Sequence, residues 1–185
     1  MKQLKNVMVA IFALLFVTSI GFGQSKDSTL KVVFIRHGEK PKKGNNLTCE
    51  GFNRSIQLVK VLNDKFGTPT KVYVPALGLG EVTKHCRMFE TLIPLAVKYN
   101  LSFDTEFEEK DAAIIAKSIK QQHGVVLVSW EHKAIANIVN ALGVDQNLTW
   151  PDDDFDSIWI VTFEYGKSLF TKDVEGIKPS SVCPF

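Results

Sequence analysis

A short apolar run that ends on Arg36-His37-Gly38 constrains the fold of this chain more than any other feature. Residues 32–35 read Val-Val-Phe-Ile, a pattern typical of a strand buried on both faces of a parallel sheet. Open α/β sheets bind ligands beyond the carboxyl ends of their strands. Gly38 allows a sharp turn there, arginine offers a fork of donors that fits phosphate, and histidine can accept and release a group near neutral pH. The junction therefore predicts an anion site at a strand end.

Apolar runs and helical stripes alternate along the rest of the chain. This alternation predicts a three-layer α/β/α sandwich with a mostly parallel central sheet and an antiparallel edge formed by the last strands. Thr48 is placed to cap the first helix, and the acidic stretch 150–154 is interpreted as a turn before the closing strands. The predicted strands are 32–35, 72–74, 125–128, 157–163 and 168–171, and the predicted helices begin near 48, 84, 108 and 132.

The first 23 residues have the layout of a secretory signal. Lys2 and Lys5 precede an apolar segment over residues 7–20, and small residues follow at Gly21 and Gly23. The apolar segment is shorter than the roughly 20 residues that a membrane span needs. We therefore expect cleavage after Gly23, export to the periplasm or the exterior, no stable membrane anchor, and one domain over residues 24–185.

Composition adds two limits. The chain has 22 basic and 20 acidic residues, a net charge of +2, which gives no case for nucleic-acid binding because that requires a clustered basic surface. Its three cysteines, Cys49, Cys86 and Cys183, predict one disulfide and one free thiol in an exported protein. The pairing stays open, although Cys183 could attach the C-terminal tail to the body of the domain.

A second histidine and a second arginine fall where they could complete the anion site. The run 125–128 leads through Ser129 and Trp130 to Glu131 and His132, just before a predicted helix, where backbone N–H groups favour an anion. Arg87 stands at the start of the second helix. Because the ends of parallel strands share one edge, Arg36, His37, Arg87 and His132 can form a single pocket for a dianion.

Four motifs in order resemble the histidine phosphatase superfamily, also called phosphoglycerate mutase-like, over nearly the whole mature chain. They are Arg36-His37-Gly38-Glu39; Leu47-Thr48 with Gly51 and Arg54; Arg87 with Thr91 and Ala96; and His132 after an apolar strand. The resemblance implies hydrolysis of a phosphomonoester, without metal or cofactor, through a phosphohistidine on His37. Arg36, Arg87 and His132 would hold the phosphoryl group, and a backbone carbonyl would hold the second ring nitrogen of His37.

The acid that protonates the leaving group stays open at this point. The candidates are Glu131, which follows a buried strand, and the cluster Asp104, Glu106, Glu108 and Glu109. Lys133 follows His132, whereas the phytase-like branch has aspartate there and the mutase branch usually has glycine. The substrate is therefore expected only as a phosphorylated small molecule or a phosphoprotein.

Two other classes of function compete with the phosphatase. One is a non-catalytic module that binds phosphate or a phospho-ligand in the same pocket. The other is a metallohydrolase built on His37, His132 and a carboxylate such as Glu39 or Glu131. The second is weaker because the chain lacks a closely spaced pair of ligands such as His-x-x-x-His.

Overall fold

The computed structural model describes residues 30–78, 80 and 82–185, so the predicted signal over residues 1–23 lies outside the described residues. The described residues form six strands and four helices. The strands are β1 (Lys31–Arg36), β2 (Lys71–Tyr73), β3 (Phe103–Asp104), β4 (Val125–Trp130), β5 (Ser157–Glu164) and β6 (Lys167–Val174). The helices are α1 (Cys49–Phe66), α2 (Cys86–Tyr99), α3 (Ala112–Ile119) and α4 (His132–Ala141). None of these helices combines the length and the apolar character that crossing a membrane would take.

All six strands join one sheet in the order β3-β2-β4-β1-β5-β6. The first four of these run parallel, and β5 and β6 add the predicted antiparallel edge. β1 and β4 lie side by side with Arg36 opposite Trp130, so both strands end at the same edge of the sheet. This register brings the residues after β1, starting with His37, next to Glu131 and His132.

Two separate apolar cores confirm the three layers. Alternate residues of β1 point to opposite faces: Val32 and Phe34 pack with Ile115 of α3 and Ile138 of α4. Val33 and Ile35 pack on the other face, with the apolar sides of α1 and α2 around Leu58 and Leu92. The sheet is thus covered on both faces, and its ligand-binding edge lies between the two layers of helices.

Helix boundaries differ from the sequence prediction in two places. The helix predicted from residue 108 begins only at Ala112, because residues 108–111 form a turn in which the backbone N–H of Glu108 donates to the Asp111 carboxylate. The helix predicted from about Lys84 begins at Cys86, since His85 has a left-handed backbone with φ of 58°. The two-residue strand β3 was not predicted, because so short a segment carries no periodicity.

The C-terminal tail is attached to the start of α1. Cys49 and Cys183 form a disulfide across 134 residues of sequence, and Cys86 is free. This confirms one bridge with one free thiol and settles the pairing. The Asn53 side-chain amide also donates to the carbonyl oxygens of Ser180 and Val182, at 2.8 and 2.7 Å. The tail therefore covers the first turns of α1.

Candidate active site

His37 lies directly after β1 and is almost completely buried, with 2% of its surface exposed. Its Nδ1 lies 2.7 Å from the carbonyl oxygen of Gly38, its own neighbour. Because the carbonyl can only accept, Nδ1 carries the proton in the neutral ring and Nε2 keeps a free lone pair. The Gly38 N–H donates to Thr91 Oγ1 at 2.9 Å, and that hydroxyl donates to the Arg87 carbonyl at 2.7 Å. Thr91 thus ties the loop after β1 to the first turn of α2.

Burial keeps the His37 ring neutral. Its pKa is lowered from 6.5 to about 4, mainly by loss of solvation; the Gly38 carbonyl opposes this shift, and the charges of Arg36, Arg87 and Lys40 contribute to it. Desolvation and nearby like charge both disfavour the imidazolium. At neutral pH the ring is therefore an unprotonated nucleophile beside two permanent cations.

The loop after β1 packs against the start of α1 through two glycines. A Cβ on Gly51 would overlap the carbonyl oxygen of Glu39, and one on Gly38 would lie 2.9 Å from the Gly51 carbonyl oxygen. The backbone N–H of Thr48 donates to the Glu39 carbonyl at 2.9 Å, while the Thr48 hydroxyl accepts from the Gly51 N–H and caps α1 as predicted. Only glycine permits this close approach of helix and loop.

Arg36 is 2% exposed and is held by the loop before β5. Its Nη1 donates to the carbonyl oxygens of Pro151, Asp152 and Asp154, at 3.3, 2.9 and 3.0 Å. Its guanidinium carbon lies 3.8 Å from the centre of the Phe155 ring, a distance typical of a cation–π contact. These contacts fix the guanidinium at the strand end.

Both site arginines keep a buried donor without a partner. Arg87 Nη1 donates to the Gly44 carbonyl at 3.1 Å, but the Nε–H groups of Arg36 and Arg87 are buried and make no hydrogen bond in the described structure. Buried unpaired donors are rare, and each calls for an explanation. Both groups are therefore available to donate a hydrogen bond to an anion's oxygen.

His132 is the first residue of α4 and is 5% exposed. Its Nε2 lies 2.7 Å from Asp152 Oδ1. Its Nδ1 lies 2.7 Å from Glu131 Oε1, but this close contact lacks hydrogen-bond geometry. Lys133 Nζ lies 3.6 Å from the same Asp152 oxygen. The hydrogen bond from His132, together with the charge of Lys133, lowers the pKa of Asp152, so this residue is a carboxylate at neutral pH.

Asp152 is the site residue that the sequence interpretation missed. Its side chain contacts His132, and its carbonyl contacts Arg36, so it joins the ends of β1 and β4 from a loop that follows α4. Sequence had assigned the stretch to a turn. No motif marks Asp152, since its role depends on where the loop folds back. A cavity of about 460 Å³ between this loop and α4 adjoins His132.

None of the acids proposed from sequence stands free beside His37. The Glu131 side chain caps α4 by accepting from the Lys133 N–H at 2.6 Å. Asp104 pairs with Lys71 at 2.8 Å on β3, with β2 and β4 between it and β1. Glu109 pairs with His85 at 2.9 Å, and Glu106 and Glu108 are exposed. In the described part of the chain, no three His, Cys, Asp or Glu side chains gather as a metal site requires.

No family model matches the chain, and no curated protein matches its sequence. Among solved structures, it is similar to the protein histidine phosphatase SixA complexed with tungstate, with a TM-score of 0.60, 19% identity, and coverage of 78% of this chain and 97% of that one. Two candidate SixA phosphohistidine phosphatases are also similar. The one from Nakamurella multipartitia has a TM-score of 0.46 and 12% identity, and the match covers 72% of this chain and 84% of that one. The one from Agrobacterium tumefaciens has a TM-score of 0.43 and 11% identity, and the match covers 78% of this chain and 98% of that one. The chain therefore has the same α/β fold as that SixA structure, a sheet between two layers of helices, as the sequence predicted.

Proposed function

We propose that this protein hydrolyses phosphorylated substrates by transferring the phosphoryl group to His37. The observation that carries this proposal is the state of His37: it is neutral, one nitrogen is fixed by the Gly38 carbonyl, and it feels the charge of two arginines that each have an unpaired donor. A nucleophile needs a free lone pair and a fixed direction of attack. His37 has both at neutral pH.

The reaction would have two steps. Nε2 of His37 attacks phosphorus and forms an N–P bond, while the bond from phosphorus to the leaving group breaks and the leaving group takes its electron pair. Water then attacks the phosphohistidine, the N–P bond breaks, and inorganic phosphate and neutral His37 result. Arg36, Arg87 and His132 would stabilise the charge on the equatorial oxygens, which is the main source of catalysis in phosphoryl transfer. The positive charge of the two arginines is the basis for proposing that turnover needs no metal.

The surroundings of His37 favour a substrate whose leaving group needs little help from an acid. An alkoxide needs a proton as it departs, yet Glu131 is a helix cap and Asp152, on His132, is ionised. A phosphohistidine or an aryl phosphate has a more stable leaving group. The SixA structure of similar fold is named as a protein histidine phosphatase. We therefore propose protein phosphohistidine as the first substrate to test, ahead of alkyl phosphomonoesters.

Export of the mature chain remains part of the proposal. The bridge between Cys49 and Cys183 supports it, because disulfides form and persist mainly in oxidising compartments. Mass spectrometry of the protein secreted by its host would test it, with an N-terminus at residue 24 as the expected result.

The function is tested by a turnover assay with three substrates: a phosphohistidine peptide, p-nitrophenyl phosphate and an alkyl phosphate. We expect the phosphohistidine peptide and the aryl phosphate to be hydrolysed much faster than the alkyl phosphate. H37A should lose all turnover, and a chelator should not change the rate. H123A is the matched control, since His123 precedes β4 at the opposite end of the strand from His132. Wild-type rates in H37A would refute the mechanism.

The same assay separates the phosphatase from the binding module. A protein that only binds would carry at most one phosphoryl group on His37, which intact-mass measurement would detect, and it would release no inorganic phosphate. Repeated turnover would exclude the binding module. Stoichiometric labelling of His37 without release of phosphate would instead favour the binding module over the phosphatase.

A further inference from the structure

A buried ion network lies directly behind the loop that holds His37. Arg54 of α1, 5% exposed, binds the Glu39 carboxylate with two groups: Nε at 3.0 and 3.1 Å from its two oxygens, and Nη2 at 2.7 Å. Arg54 Nη1 donates to Oε2 of Glu175 at 2.5 Å. Glu39 follows Gly38 in sequence, while Glu175 follows β6. One guanidinium thus links the catalytic loop to the end of the last strand.

The network holds more acidic than basic groups. Arg54 faces the carboxylates of Glu39 and Glu175, and Asp156 lies 3.9 Å from its Nη1 with 44% of the side chain exposed. Oε1 of Glu175 is buried and has no hydrogen-bond partner. An unpaired oxygen on a buried, ionised carboxylate is strongly unfavourable. Burial accordingly raises the pKa of Glu175 to about 8, with the charges of Asp156 and Glu39 adding to the effect and Arg54 opposing it.

Protonation of Glu175 decides how Arg54 divides its charge. While Glu175 is neutral, Glu39 is the only carboxylate hydrogen-bonded to the guanidinium, and the bidentate contact with Glu39 is strongest. When Glu175 ionises, its buried carboxylate competes with that of Glu39 for one cation. The change reaches the site through the backbone, because the Gly38 carbonyl orients His37 and the Glu39 carbonyl accepts from Thr48.

We propose that Glu175 is a positioning residue that acts through Arg54 and Glu39 on the loop orienting His37. The catalytic part of this inference rests on the proposed function of His37, but the structural coupling does not. Neutral Glu175 holds the loop in the geometry described above, and its ionisation loosens it. In kinetic terms, kcat falls on the alkaline side of neutrality.

The test uses the mature chain in a C86S background, which removes the free thiol. Amide shifts of Gly38 and Glu39 are followed by NMR from pH 6.5 to 9.5. In the parent, we expect the amide shifts of Gly38 and Glu39 to change together with a single midpoint. E175Q keeps the shape of the protonated acid, and in this variant the change should be lost. D173N is the matched control, because Asp173 lies two residues away on β6 and pairs with Lys65 outside the network; it should titrate like the parent.

Activity gives the second readout. In the parent, kcat should fall at least threefold between pH 7.5 and 9.5 with the midpoint seen by NMR, and E175Q should flatten this fall. Gly38 and Glu39 shifts that stay constant in the parent, or that titrate unchanged in E175Q, would overturn the proposal. If E175Q does not fold, E39Q provides the same comparison for Gly38 alone. An inactive protein with the expected shifts would refute the proposed function while the coupling stands.

Discussion

Reducing the bond between Cys49 and Cys183 should destabilise this domain by several kcal/mol. The bond attaches residue 183 to the first turn of α1 and closes a loop of 134 residues. In the folded protein the tail is also held by hydrogen bonds from Asn53. Reduction therefore changes the unfolded chain more than the folded one.

The size of the effect follows from the loop. Chain-entropy arguments give about −17 cal/mol/K for a closed loop of this length, which is about 5 kcal/mol at 25 °C. Small domains usually lose about 2–5 kcal/mol when a native disulfide is removed. Since a domain's stability is typically about 5–15 kcal/mol, the bond supplies a large share of it.

Urea unfolding of the C86S variant, with and without reductant, measures this directly. Removing Cys86 prevents exchange with the only free thiol among the described residues. We expect a lower midpoint for the reduced form, and the same midpoint for the C49S/C183S variant in either buffer. Coincident curves for oxidised and reduced C86S would refute the reasoning, since they would mean that the bridge does not form or does not restrict the unfolded chain.

Three further outcomes follow from the site. R54M should lose about 3–5 kcal/mol in urea unfolding, because it leaves the buried Glu175 and the partly buried Glu39 without their cation; the exposed-site variant K60M should change little. G51A should lose about 1–3 kcal/mol and reduce turnover, because its Cβ overlaps the Glu39 carbonyl; a stable, fully active G51A would contradict the packing. His37 binds a proton with a pKa of about 4 when folded and 6.5 when unfolded, so in E175Q, where no second shifted group opposes it, stability should rise by about 3 kcal/mol between those pH values, and this rise should be absent from H37N/E175Q.

The sequence predicted those parts of the molecule that depend on local pattern. The run 32–35 and the run 125–128 identified the two central strands, and their ends located His37 and His132 at one edge. The fold followed because alternating strands and helices allow few topologies. Arg87 came from a motif, and its position in the first turn of α2 agrees with that motif.

The sequence failed where a residue's surroundings come from distant parts of the chain. Asp152 contacts His132 and Arg36 only because the loop before β5 folds back over the strand ends. Glu175 lies 121 positions from Arg54, and nothing near it in sequence marks it as buried. Both carry ordinary acidic side chains whose chemistry is set by burial and partners, which local pattern cannot express.

The opposite pKa shifts of His37 and Glu175 make the two residues a compensating pair. Between about pH 4.5 and 6.5 the unfolded chain carries one more proton on His37, while the folded chain carries one more on Glu175. The two slopes have opposite sign and cancel. Between 6.5 and about 8 only Glu175 contributes, and stability falls as pH rises because the folded state loses its extra proton. Replacing either residue therefore exposes the slope of the other: H37N should lose stability from pH 4.5 upward, whereas E175Q should gain stability up to 6.5 and then stay level. The two burial costs themselves add, so what cancels between about pH 4.5 and 6.5 is their dependence on pH, and above 6.5 Glu175 alone limits the alkaline range of the fold.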